Sequence, residues 1–264
     1  MRPDPPDGVT EEILQGGGVN QVVRRGHTVR RPAGPWTPAV HALLRHLADR
    51  GFTGAPRAHG LDERGREILD FVPGQVAHGP AVPYARNDAV LRAVAVLLRD
   101  YHDATIGFAP PRDATWYFPP REPAEVVCHG DVAPYNCVFR DGLPVAFIDF
   151  DTAHPGPRLW DVAYAAYRFA PLTAPGHGET VPVCEQARRL RLFCDAYGLA
   201  ATGRAALTDA VGERLRGLAR MIRDKAAAGD AAFAAHLAAG HPELYLADAA
   251  HVARHAPVLR EAVR

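Results

Sequence analysis

Lysine is almost absent from this 264-residue chain: Lys225 stands alone, and every other basic side chain is arginine. A site that relies on an ammonium group must therefore use a guanidinium here, or do without. Cysteine is scarce as well. Cys128, Cys137, Cys184 and Cys194 form no CxxC pair and no ligand-like set with histidine. That argues against zinc and against a disulfide framework, and for reduced thiols in a cytoplasmic protein. No apolar run reaches the roughly 18 residues a membrane-spanning helix needs. The start, MRPDPPDGVTEEIL, lacks the basic opening and apolar stretch of a secretory signal. Net charge is missing too, because 30 basic and 30 acidic side chains cancel. A general electrostatic grip on nucleic acid or on an anionic membrane is disfavoured on that ground.

What is present is core material: 47% of the residues are hydrophobic and 23% charged, the balance of a globular protein. Residues 1–12, rich in proline and acid, read as a loose tail. Residues 13–74 carry short β-prone pieces around turn residues, with Gly16, Gly17 and Gly18 in the first turn. Within them Thr37-Pro38 signals a helix start, followed by Val40, Leu43, Leu44 and Leu47 at helical spacing. A hairpin is expected over 57–72, turning near Asp62 to Gly65 and closed by Pro73-Gly74. Residues 75–264 are mainly helical, opening with Val90, Leu91, Val94, Leu97, Leu98 and Tyr101 on one helix face. Asp141-Gly142 marks a two-residue hairpin turn. The expected fold is α+β: a small β-rich N-terminal lobe followed by a larger helical lobe.

The chemistry concentrates in His129-Gly130-Asp131-Val132-Ala133-Pro134-Tyr135-Asn136, followed by Ile148-Asp149-Phe150-Asp151. Asp131 can accept a proton from an attacking hydroxyl. Asn136 and Asp149 can offer oxygen ligands to Mg²⁺, which keeps waters and phosphate oxygens in its shell. The hairpin at Asp141-Gly142 folds Asp149 back beside Asn136. Phosphoryl transfer needs positioning and charge neutralisation more than covalent help, and this set suits it. The other reading of the stretch is a polar turn between buried strands.

HGDxxPxN, the IDFD turn and Trp160-Asp161-Val162-Ala163 together resemble the aminoglycoside phosphotransferase and choline kinase-like family, small-molecule kinases with a two-lobed protein-kinase fold. The likeness covers roughly residues 14–250, with its sharp motifs at 129–163. It implies Asp131 as catalytic base, Asn136 and Asp149 as metal ligands, and Asp161 as the residue holding the catalytic loop backbone, with His129 a structural member of that loop. It implies Mg²⁺, with ATP or GTP as co-substrate. The acceptor would be a hydroxyl on an aminoglycoside, a macrolide, another antibiotic or an amino alcohol, and the protein a monomer or homodimer. Adenine would meet the backbone of Asp70 and Val72.

The small lobe departs from the pattern. Relatives pair a lysine on the third strand with a glutamate on the next helix. Here Arg30 stands at the matching place, no acidic residue occurs between Glu12 and Asp49, and Val40 or His41 sits where the glutamate belongs. Gly17 and Gly18 would cover phosphates with backbone N–H groups. Trp116, Tyr117, Trp160, Tyr164 and Tyr167 are candidate pocket aromatics, and Asp195, Asp224 and Glu243 candidate partners for a cationic acceptor. The missing pair keeps a rival open: a pseudokinase, or a sequestering immunity protein of the same fold.

Overall fold

The computed structural model describes residues 11–14, 22–77, 87–177 and 181–264. Its first unit is a five-stranded antiparallel sheet with one helix. The strands are β1 (Glu12–Leu14), β2 (Val22–Arg25), β3 (Thr28–Pro32), β4 (Ala58–Leu61) and β5 (Arg66–Asp70), in the order β1-β2-β3-β5-β4. Gly26, at φ 62°, makes the tight turn from β2 to β3. The β4–β5 turn is closed by the Asp62 carboxylate, which accepts from the amides of Arg64 and Arg66 at 2.9 Å each. The β3–β5 ladder runs from Thr28 opposite Asp70 to Pro32 opposite Arg66, and it sets Arg31 directly across from Glu67.

Helix α1 (Thr37–Asp49) starts one residue earlier than Thr37-Pro38 suggested. Trp36 holds the cap position, and the Thr37 hydroxyl accepts instead from the Gly34 amide at 2.9 Å. Val40, Leu43, Leu44 and Leu47 are buried, joining Leu69 of β5 in the main core.

The remainder is mostly helical. It comprises α2 (Asp88–Ala104), α3 (Arg158–Phe169), α4 (Val183–Tyr197), α5 (Ala201–Ala227), α6 (Ala231–Ala238) and α7 (His241–Val263). The break between α5 and α6 was not expected. Gly229 takes φ 89° and Asp230 caps α6, accepting from Ala232 N at 3.0 Å. Between α2 and α3 lie short strands: β7 (Val126–Cys128), β8 (Cys137–Arg140), β9 (Leu143–Phe147) and β10 (His154–Gly156). β7 pairs with β10, while β8 is flanked by β9 and by β6 (Gln75–Val76). Asp141 and Gly142 both have positive φ, 52° and 78°, as a primed hairpin turn demands.

Tyr101 of α2 is fully buried, with Phe147, Phe150 and His129 ringed around it at centroid distances of 6.3, 5.8 and 6.4 Å. Burying an aromatic of this size contributes about 1.5–3 kcal/mol. It also lays a rigid floor under residues 129–150. Among the described residues, no helix is long and apolar enough to cross a membrane.

Candidate active site

Residues 129–136 form a loop between β7 and β8 whose backbone is held from four sides. Gly130 sits at φ 85°, and a Cβ there would lie 2.4 Å from the Thr152 carbonyl oxygen, so only glycine fits. His129 donates from Nε2 to the Ile148 carbonyl (3.0 Å), which leaves Nδ1 to accept from the Asp131 amide (3.3 Å). Asp161, buried on α3, accepts the amides of His129 (2.7 Å) and Gly130 (3.0 Å) and the ring N–H of His102 (3.1 Å). Burial alone would raise the Asp161 pKa. The hydrogen bonds from His102 and the loop overcome it and hold the carboxyl at about 2. Burial keeps His102 neutral, and its Nδ1 accepts from the Tyr197 hydroxyl at 2.7 Å. From α5, the buried guanidinium of Arg214 donates to the Gly130 carbonyl.

That frame brings Asp131, Asn136 and Asp149 together. The Asn136 amide donates to the Asp131 carboxylate at 2.9 Å and to its carbonyl at 3.0 Å. The Tyr135 hydroxyl donates to the other carboxylate oxygen of Asp131 at 2.8 Å. Burial nonetheless pushes the Asp131 carboxyl above the usual range, with Asp149 adding to the rise. The Asn136 carbonyl accepts from Ile148 N at 2.9 Å, so the β8–β9 hairpin delivers the next residue, Asp149, to the same crevice. Asp149 adopts φ 64°, ψ 65°, left-handed backbone that a non-glycine residue rarely takes.

The nucleotide side differs from expectation. Arg30 does not face the crevice: its guanidinium donates to the Thr28 hydroxyl (2.7 Å) and the Val29 carbonyl (3.2 Å). Arg31, the next residue and on the opposite face of β3, reaches it instead. It pairs with Glu67, with Asp149 at 2.6 Å and with Asp151, and is 8% exposed. The absent helix glutamate is replaced from the sheet. Glu67 lies across the ladder on β5, and His41 of α1 binds its second oxygen at 3.0 Å. Three carboxylates around one guanidinium leave excess negative charge. Burial, opposed by Arg31 and reinforced by Asp149, pushes the Asp151 carboxyl up to about 6.

The Asn136 NH₂ is spent on Asp131, which leaves its side-chain oxygen and the Asp149 carboxylate as the hard donors of the set. These hard oxygens suit Mg²⁺ carried on phosphates, which needs only one or two carboxylates. They do not make a self-sufficient cage: among the described residues, no three His, Cys, Asp or Glu side chains are grouped to hold an ion.

Gly17 and Gly18 lie outside the described residues. Asp70 and Val72 line a cavity of about 420 Å³ with His27, Leu44, Leu47 and Phe52, and the Asp70 carboxylate is occupied by His59 at 2.7 Å. Of the proposed aromatics, Tyr164 meets the Tyr135 hydroxyl at 3.1 Å, whereas Trp160 stacks under Arg121 at 3.6 Å and Tyr117 under Lys225 at 4.0 Å. Asp195 and Glu243 are taken by Arg204 (2.7 Å) and Arg223 (2.9 Å). Arg31, Glu67, Tyr135 and Arg214 were not foreseen. Alternation along β3 and the i, i+4 spacing of Asp131 and Tyr135 were the available hints.

Comparison with known proteins bears on the family and the fold. Residues 112–207 match the Phosphotransferase enzyme family (APH). The chain is 38% identical to the trifolitoxin immunity protein of Rhizobium leguminosarum bv. trifolii over 208 residues, 75% of this chain and 78% of that one. Its fold is similar to that of a choline/ethanolamine kinase family protein from Mesorhizobium loti (TM-score 0.66, 15% identity, 96% and 94% of the two chains). It is also similar to APH(2")-IIia in its GDP and kanamycin complex (TM-score 0.60, 16% identity, 91% and 93%).

Proposed function

The chain belongs to the aminoglycoside phosphotransferase and choline kinase-like family, and from that membership we propose that it moves the terminal phosphate of ATP or GTP to a hydroxyl of a small molecule. The observation that carries this reading is the Asp131–Asn136 bond at 2.9 Å, beside a hairpin that presents Asp149 to the same crevice. Asp131 is the base. Burial makes its carboxyl more basic than an ordinary aspartate, which favours taking a proton from the attacking hydroxyl. Tyr135 and Asn136 each engage one of its oxygens and so fix its orientation. Asn136 and Asp149 would hold Mg²⁺. When bound, the ion neutralises charge on the phosphate oxygens. Arg31, anchored by Glu67, replaces lysine as the phosphate-side cation, and its planar fork can engage two oxygens at once.

The test is nucleotide turnover against an acceptor panel with the parent and Asp131→Asn. Parent-level turnover in the variant overturns the assignment. A second reading, a toxin-sequestering immunity protein of this fold, is favoured by the Arg31–Asp149 contact of 2.6 Å, which occupies a proposed metal ligand, and by the immunity function named for the relative. Thermal-shift titration with Mg-nucleotide separates the two, because ligand at 100 times its dissociation constant adds about 2.7 kcal/mol. No shift with nucleotide favours sequestration.

A further inference from the structure

Beside Asp131, α3 carries an arginine, Arg168, with no counter-charge among the described residues. Asp161, Tyr164 and Arg168 occupy one side of the helix at i, i+3 and i+7. The Arg168 guanidinium lies 5.3 Å over the Tyr135 ring and 5.8 Å from that of Tyr167, and its Nε is buried without a hydrogen-bond partner. Among the described residues no carboxylate stands within ion-pair distance of it. The acids on either side are already engaged. Asp131 accepts from Tyr135 and Asn136, and Asp248 of α7 accepts from Tyr167 (2.7 Å), the Ala174 amide (2.7 Å) and His177 (2.9 Å). The Tyr135 and Tyr167 hydroxyls donate to Asp131 and Asp248, and these rings meet Arg168 through their π faces. Tyr245 packs on Tyr167 at 6.4 Å and continues the aromatic wall.

A guanidinium whose Nε is buried without an acceptor carries a cost, and ring faces recover only part of it. The planar fork of donors is complementary to the two oxygens of a carboxylate. We propose that Arg168, with the rings of Tyr135, Tyr164 and Tyr167, is the acceptor-recognition subsite, and that it selects a hydroxyl compound carrying a carboxylate. The identity of the acceptor class rests on the phosphotransferase reading; the anion subsite does not. A polyamine sugar or an amino alcohol would bring like charge to this wall, and Asp195 and Glu243 are committed to Arg204 and Arg223.

The experiment uses a matched pair of probes, 4-(hydroxymethyl)benzoate and 4-(hydroxymethyl)benzamide, titrated calorimetrically at constant ionic strength into the parent, R168K and R168Q. The parent should bind the carboxylate at least tenfold more tightly than the amide. R168K should keep part of that preference and R168Q none. R168Q should unfold at or above the parent's midpoint, because the cationic group with the buried, unpartnered Nε–H has gone. Equal binding of both probes by the parent, or binding of neither at millimolar concentration, overturns the proposal. So does a carboxylate preference that survives in R168Q, or an R168Q protein that fails to fold, which would make the guanidinium a structural necessity. A parent that prefers the carboxylate but turns over neither ATP nor GTP with any acceptor keeps the subsite and removes the kinase reading.

Discussion

The loop at 129–136 and the ion cluster around Arg31 meet at Asp149, yet they are built differently. The loop is short and contiguous, held by hydrogen bonds that converge on one buried carboxylate, Asp161, already poised at about 2. The cluster gathers Arg31, His41, Glu67, Asp149 and Asp151 from separate segments and leaves more negative than positive charge. A hydrogen-bonded network around one well-satisfied carboxylate is rigid, whereas a charge-unbalanced cluster is poised to accept a further cation. The loop therefore suits proton transfer and the cluster suits a nucleotide arriving with its metal. Arg31 neutralises these carboxylates, and on the proposed reading it would also contact phosphate when a nucleotide binds.

The comparison can be broken most forcefully at Asp131. Asp131→Asn should lower turnover by about 10³-fold or more while leaving the unfolding midpoint unchanged or raised, because a buried carboxylate is replaced by a neutral amide. Steady-state kinetics beside a melting curve check both halves. Asp161→Ala strikes the scaffold instead. It strips the acceptor from two buried amides and His102, and should cost about 3–5 kcal/mol in urea unfolding. A loss below about 1 kcal/mol would mean the loop is held by something else.

Arg31→Met tests the cluster. It leaves Glu67 buried with His41 but without its arginine, so kcat/KM should fall about 10–100-fold and stability by about 3 kcal/mol. Adding Glu67→Gln should restore part of the stability but none of the activity. Additive losses in that cycle would dissolve the pairing.

A pH series sharpens the contrast. The Asp161 carboxyl is depressed from 3.8 to about 2, so its contribution is complete above pH about 4 and fades as pH falls toward 2. The difference corresponds to about 2 kcal/mol, and unfolding free energies of Asp161→Asn should be flatter than the parent's over that interval. The smallest effect belongs to Arg30→Ala. With its guanidinium turned to Thr28, activity should stay within about threefold of the parent and stability within about 1 kcal/mol. A loss comparable to that of Arg31→Met would reinstate Arg30 at the phosphates.

Legibility divides along the same line. Asp131 and Asn136 are five residues apart on one loop, and the Asp141-Gly142 turn dictates that Asp149 returns beside them, so periodicity and turn chemistry suffice to bring them together. Arg31 and Glu67 are 36 residues apart and meet only because β3 and β5 pair in one register. A slip of one residue would have put Arg30 there, which is why the neighbouring arginine was chosen from the sequence. The break at Ala228-Gly229-Asp230 was readable from glycine followed by a capping acid, and was passed over. Asp70 and Val72 lie on a cavity wall, though nothing in their spacing indicated which side of the strand would open.

Sequence alone determined the sheet-then-helices layout, the loop that sets Asp131 beside Asn136 and the hairpin that returns Asp149, because each follows from local turn geometry and hydrophobic period. Tertiary structure decided that Arg31 and not Arg30 meets Asp149, that Glu67 steadies it, and that Arg168 faces tyrosine rings with no acid beside it among the described residues. Those pairings join segments far apart in the chain, and only strand register and helix packing bring their charges within reach of one another.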